Sequence, residues 1–110
     1  MNPQEIPSVS VHEVPDSVYL LDVREDDEWA AGHAPQAVHL PMQEVPTRMG
    51  EVPLDERVVV TCRMGGRSAQ VTAYLRAQGY DDVVNLDGGM QAWHAAGRAM
   101  TGGDGAPRVL

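Results

Sequence analysis

The chain predicts an α/β domain built on a mostly parallel sheet. Three features point there. Short apolar or β-branched runs alternate with stretches of helical pattern. Those runs are apolar throughout, as strands buried on both faces are. Two of them deliver polar, chemistry-bearing residues at their carboxyl ends, Asp22 and Cys62. In open sheets of this kind ligands sit beyond the carboxyl ends of the strands.

In chain order, residues 6–9 alternate and predict a short edge strand, after which Ser10 caps a single helical turn that Pro15 stops. Val18-Tyr19-Leu20-Leu21 is a buried-type strand running into Asp22-Val23-Arg24. Glu25-Asp26-Asp27-Glu28 then places four acids in the first turn of a helix, where the positive end of the dipole favours them, and Gly32 ends that helix. Gly32-His33-Ala34-Pro35 is turn chemistry, and Ala37-Val38-His39-Leu40 is a short strand halted by Pro41. Residues 42–49 predict a short helix interrupted by Pro46, and residues 50–57, with Pro53 and Asp55-Glu56, an exposed connection. Val58-Val59-Val60-Thr61 is the strongest strand pattern in the chain. A helix follows over 68–78, with a stripe of Val71, Tyr74, Leu75 and Gln78 closed by Gly79. Val83-Val84-Asn85-Leu86 is another buried strand, and Asp87-Gly88-Gly89 opens a last helix carrying Met90, Trp93 and His94 on one face. From Thr101 onward the sequence is Gly-rich and predicts a loosely held tail.

A length of 110 residues suits one core. The net charge of −8, from sixteen acids against eight arginines, argues against nonspecific binding to nucleic acid or to an anionic membrane. The N-terminal Met1-Asn2-Pro3-Gln4-Glu5 lacks the basic and apolar regions of a signal peptide, and no apolar stretch approaches the roughly 20 residues that span a bilayer. A single cysteine cannot make an internal disulfide, so a cytoplasmic setting in which it stays reduced is expected.

The functional reading concentrates on Cys62-Arg63-Met64-Gly65-Gly66-Arg67-Ser68. Cys62 is the first residue after the strand, and Gly65 and Gly66 permit backbone conformations in which successive N–H groups turn toward one point. Such a nest, with a helix N-terminus behind it and Arg63 and Arg67 beside it, favours a thiolate and binds anions. Four residues separate Cys62 from Arg67. Cys-based phosphatases use a ring one residue longer, so the smaller loop disfavours a phosphoryl group and leaves room for one extra sulfur on Cys62. Attack of a thiolate on a sulfane sulfur expels sulfite or a thiolate without general-acid help.

At this point the sequence resembles the rhodanese family of sulfurtransferases. The matching pieces are Leu21-Asp22-Val23-Arg24, Glu28-Trp29, Gly32-His33-Ala34-Pro35-Gln36-Ala37, the Cys62 loop, Leu75 through Gly79-Tyr80, and Val84-Asn85-Leu86-Asp87-Gly88-Gly89-Met90-Gln91-Ala92-Trp93. They fall in order over about residues 6–98, with Ala34 and Gln36 standing where the family more often has Ile and Gly. The resemblance implies a three-layer fold, a five-stranded parallel sheet of order 1-5-4-2-3 flanked by helices. It implies a rhodanese-like domain over 1–100, leaving 101–110 as a flexible tail. It also implies that Cys62 is the nucleophile and carries sulfur as a persulfide, that the N–H groups of Arg63, Met64, Gly65, Gly66, Arg67 and Ser68 hold that persulfide or an oxyanion, and that Arg63 and Arg67 attract an anionic donor. Basic loops of this type resemble those of thiosulfate users rather than the mercaptopyruvate type. The expected partners are a small anionic sulfur donor and a thiol acceptor, with a protein acceptor as a further option; no cofactor is called for.

Asp22, Arg24 and Glu28 are supporting candidates. Arg24 and Glu28 read as an i, i+4 salt bridge, whereas Asp22 is open between a catalytic group and a hydrogen-bond partner of the loop amides. His12, His33, His39 and His94 show no metal-ligand spacing, so no metal is expected, and His33 is assigned to its turn. Trp29 and Trp93 read as cover for helix faces. Against a sulfurtransferase stand a phosphatase or arsenate reductase, which the loop length opposes, and a noncatalytic partner-binding module, which the intact Cys62 opposes. A persulfide relay to one particular protein lies between enzyme and module.

Overall fold

The computed structural model describes residues 6–110. Five parallel strands form one sheet: β1 (Ser8–Val9), β2 (Tyr19–Asp22), β3 (Val38–His39), β4 (Val58–Thr61) and β5 (Val83–Leu86). Their order is β1-β5-β4-β2-β3, as the resemblance implies, and every pairing between them is parallel. Four α-helices connect and cover them: α1 (Asp26–Ala31), α2 (Val45–Arg48), α3 (Gly66–Ala77) and α4 (Gly89–Ala95). Among the described residues no helix is long and apolar enough to cross a membrane.

The apolar runs are split between two layers of core by the two-residue period of a strand. Val58, Val60 and Cys62 point to one face, joining Leu21, Val71, Leu75 and Tyr80 under α3. Val59 points to the other, joining Leu20, Val84, Leu86, Met90 and Trp93 under α4. Both faces of the sheet are thereby dry, which is why the central strands show no polar alternation. Cys62 continues the inward-facing row of β4 by one more step, beyond the last residue of the strand.

Several local expectations need correction. Pro46 does not interrupt a helix; it sits in the first turn of α2, where its missing N–H has no intrahelical partner to lose. Val52 is buried within the connection expected to be exposed, and Tyr80 Oη donates to its carbonyl at 3.2 Å and to that of Met49 at 2.7 Å. The helix expected from Ser68 begins two residues earlier, at Gly66, and its buried face is completed by Ser68 and Thr72 while Gln78 is exposed. His94 is exposed, away from the buried Met90 and Trp93. Ser10, by contrast, caps its turn as expected, with Glu13 Oε1 accepting from Ser10 N at 2.8 Å.

Residues 101–110, expected to be loosely held, lie against the body. Thr101 and His33 exchange backbone hydrogen bonds of 2.9 and 2.8 Å, and the N–H groups of Gly103 and Arg108 donate to Ala30 O and Ala31 O. The chain passes so close to Gly32 that a Cβ there would lie 2.6 Å from Arg108 O. Val109 packs on the α4-side core.

The most heavily committed polar group is Arg24. Its guanidinium and the Asp22 carboxylate are both fully buried, joined by bonds from Nε to Oδ1 (2.9 Å) and from Nη2 to Oδ2 (2.8 Å). Nη2 also donates to Gly32 O at 2.8 Å and Nη1 to Glu28 O at 3.3 Å. Arg24 therefore holds α1 by its carbonyls, and the Arg24 to Glu28 carboxylate bridge expected from their spacing does not form. Asp22 bonds Arg24 rather than the loop amides. Asp22→Asn would strand a buried cation, so a loss of about 3–5 kcal/mol is expected, measurable as a lowered urea midpoint.

Candidate active site

The site is assembled where β4 ends. Between Cys62 and the first turn of α3 the chain needs a left-handed residue, and Gly65 supplies it with φ +107°. The loop folds back over the sulfur. Cys62 Sγ accepts hydrogen bonds from Gly65 N at 3.1 Å, Ser68 N at 3.3 Å and Ser68 Oγ at 3.2 Å. Burial by itself pushes the thiol pKa up, but the Ser68 hydroxyl and the Ser68, Gly65 and Met64 amides outweigh it, and the net shift is downward. Donors to the charged form thus favour the thiolate inside an otherwise apolar row.

The loop is pinned from the neighbouring β5 and α4. Met90 N donates to Cys62 O at 2.8 Å and Gln91 N to Arg63 O at 3.0 Å, so the first turn of α4 spends its unpaired N–H groups on the loop. Gly89, at φ +56°, permits this approach: a Cβ there would stand 2.5 Å from Cys62 O and 2.8 Å from Arg63 C. Asn85 Nδ2 donates to Gly65 O at 3.2 Å from the buried strand β5. Gly89 and Asn85 lie outside the site residues that the sequence predicts. Their signals were an adjacent glycine pair after a strand and an amide in an otherwise apolar run.

Cys62, Arg63, Met64, Gly66 and Arg67 line a cavity of about 280 Å³. Arg63 and Met64 are exposed at its rim, and Arg63 makes no side-chain hydrogen bond or ion pair among the described residues. Arg67 differs. Its Nη1 donates to Glu28 Oε1 at 2.7 Å and its Nη2 to Glu28 Oε2 at 2.9 Å. The Arg67 bonds lower the Glu28 pKa to about 2, and the same bonds push that of Arg67 up. Of the supporting residues, Glu28 reaches the loop through Arg67, whereas Asp22 and Arg24 act on α1 behind it. His33 and His39 both stack on Trp29, with centroids 3.6 and 4.7 Å away; His33 Nδ1 donates to Trp29 O and His39 Nε2 to Arg24 O.

Two substitutions report on the cradle. In iodoacetamide alkylation of Cys62 followed against pH, the wild-type midpoint should lie below that of an exposed cysteine, and Ser68→Ala should move it upward by removing a donor to the thiolate. Gly89→Ala should displace the Cys62 and Arg63 carbonyls and move the same midpoint toward that of an ordinary thiol.

Comparison with known proteins agrees with this geometry. The rhodanese-like domain family matches residues 10–96. A protein of Allochromatium vinosum named sulfurtransferase is 46% identical over 90 residues, covering 82% of this chain and 84% of its own. The crystal structure of a rhodanese-like domain protein from Staphylococcus aureus superposes with a TM-score of 0.75 at 32% identity, covering 96% of this chain and 99% of that one. That of a thiosulfate sulfurtransferase from Pseudomonas aeruginosa gives 0.79 at 29% identity, over 90% of this chain but 21% of that one. With its sheet order, its cysteine loop and these relatives in agreement, the chain belongs to the rhodanese-like domain family of sulfurtransferases.

Proposed function

We propose that the protein moves a sulfane sulfur from thiosulfate or a persulfide donor to a thiol or other nucleophile, with Cys62 as the carrier. The observation that carries this reading is the convergence of Gly65 N, Ser68 N and Ser68 Oγ on Cys62 Sγ. A thiolate held in this way is the nucleophile that the first half of a double displacement requires.

With thiosulfate, the Cys62 thiolate attacks the outer sulfur, the S–S bond of the donor breaks, and sulfite leaves with the electron pair. With an organic persulfide, the same attack expels a thiolate. In both cases Cys62 then carries one extra sulfur, and an incoming thiolate takes it in the second half, restoring the Cys62 thiolate. The loop amides that hold charge on Sγ are the groups nearest to the charge of the persulfide, and Ser68 Oγ can follow it because a hydroxyl rotates. Arg63 and Met64 stand at the rim, where the donor enters and the acceptor, a small thiol or a protein thiol, must reach the sulfur. The cycle needs Cys62 reduced before each turn, as a cytoplasmic setting provides.

Incubation with thiosulfate should add about 32 Da, one sulfur, at Cys62, and a thiol should remove it. Intact-mass measurement checks this. Wild type that never gains the mass with any sulfur donor, or Cys62→Ser that gains it equally, would overturn the reading.

A further inference from the structure

We propose that Glu28 sets the donor preference of this site: by accepting from both terminal nitrogens of Arg67 it holds that cation and offsets its charge at the cavity mouth, so that Cys62 takes sulfur from organic persulfides in preference to the thiosulfate dianion. The inference rests on the persulfide chemistry proposed above and names the donor class.

The Arg67–Glu28 pair is held at both ends. A surface arginine is usually free to swing toward an arriving anion, but Arg67 is bound at 2.7 and 2.9 Å in the bidentate geometry that fixes both partners. Glu28 is itself held, because its Oε1 also accepts from Glu25 N at 3.0 Å and its carbonyl accepts from the buried Arg24. With its side chain largely covered and its pKa lowered to about 2, Glu28 keeps its charge throughout the working pH range. Arg67 lines the cavity with Cys62, but its charge is compensated there. The neighbouring Glu25 carboxylate adds negative potential on the same side. Arg63 is left as the cation of the rim that no side chain engages among the described residues.

That balance treats the two donor classes differently. Thiosulfate brings a dianion against a thiolate, and sulfite must form and leave as a dianion beside Glu28. An organic persulfide meets no such barrier: Cys62–S⁻ attacks the outer sulfur of RSSH, the donor S–S bond breaks, Cys62–S–SH forms and RS⁻ leaves. Charge is conserved in both reactions, but only the first concentrates several negative charges at a mouth whose arginine is already paired.

The test measures the rate of persulfide formation on Cys62 from thiosulfate and from an alkyl persulfide whose organic part is uncharged. Glu28→Gln keeps the shape and an oxygen able to accept from Glu25 N and Arg67 while removing the charge. It should raise the thiosulfate-to-persulfide rate ratio about tenfold at low ionic strength, the scale of a local electrostatic effect on association. That gain should shrink in high salt, where exposed charges are screened. It should be absent when Glu28→Gln is combined with Arg67→Gln, because Glu28 acts through Arg67. The alkyl persulfide rate of each variant is the internal control for folding, since a damaged site loses both rates together. An unchanged ratio in Glu28→Gln, a ratio insensitive to salt, or the same gain in the double variant would overturn the role of Glu28 while leaving Cys62 as the carrier. Failure of the wild type to take sulfur from either donor would overturn the sulfur-carrier reading as well.

Discussion

Two full charges without solvent, on Asp22 and Arg24, are costly to assemble, since each ion gives up several kcal/mol of hydration. The cost is offset by geometry. Asp22 ends β2 beside Thr61 at the end of β4, and Arg24 has acceptors for its donors on Asp22, Glu28 and Gly32. The placement of α1 follows from those acceptors. With α1 in place, the Glu28 carboxylate stands opposite Arg67, and the docking of residues 101–110 over Gly32 follows from the same turn. A packed apolar side chain at position 24 would fill the space, but it would not fix the direction of the helix carbonyls.

The second organising element is the meeting of two loops above the sheet. The carboxyl ends of β4 and β5 lie side by side, and each is followed at once by a helix. The turn after β5 gives its amide donors to the loop after β4, and that loop gives its own to sulfur. Donors are thus passed inward from one helix start to the next. The groups that favour the thiolate are the Ser68 hydroxyl and the Ser68, Gly65 and Met64 amides, and the Arg67 guanidinium is already balanced by Glu28. Amide dipoles fixed in this way need no counter-ion.

Much of this was legible in the sequence because the signals are local. Val58 through Thr61 and Val83 through Leu86 form strands with the expected bounds, since a β-branched run buried on both faces has few alternatives. Cys62, Gly65 and Ser68 come together because the loop that joins them is short. The partners that failed to appear from spacing are the ones chosen over long distances. Arg24 and Glu28 have the right separation for a helix pair, but Arg24 precedes α1 and turns inward to Asp22, freeing Glu28 for an arginine 39 residues away. Val52 is buried because Tyr80 lies beneath it, and Gly65 takes its support from Asn85 and the Gly88–Gly89 turn; neither neighbour can be read from its own segment.

The clamp between the Cys62 loop and the start of α4 links reactivity to the completeness of the chain. The strand that leads into Cys62 lies in mid-sequence, but the groups that hold the Cys62 and Arg63 carbonyls and Gly65 in place come from Met90, Gln91 and Asn85. Met90 N and Gln91 N hold the loop carbonyls and Asn85 Nδ2 holds Gly65 O, and this frame aims the Gly65 and Ser68 N–H groups at sulfur. The donors that lower the Cys62 pKa are thus held in register by chain that follows the loop, so the ionisation of the thiol depends on the packing of β5 and α4 as much as on its own loop.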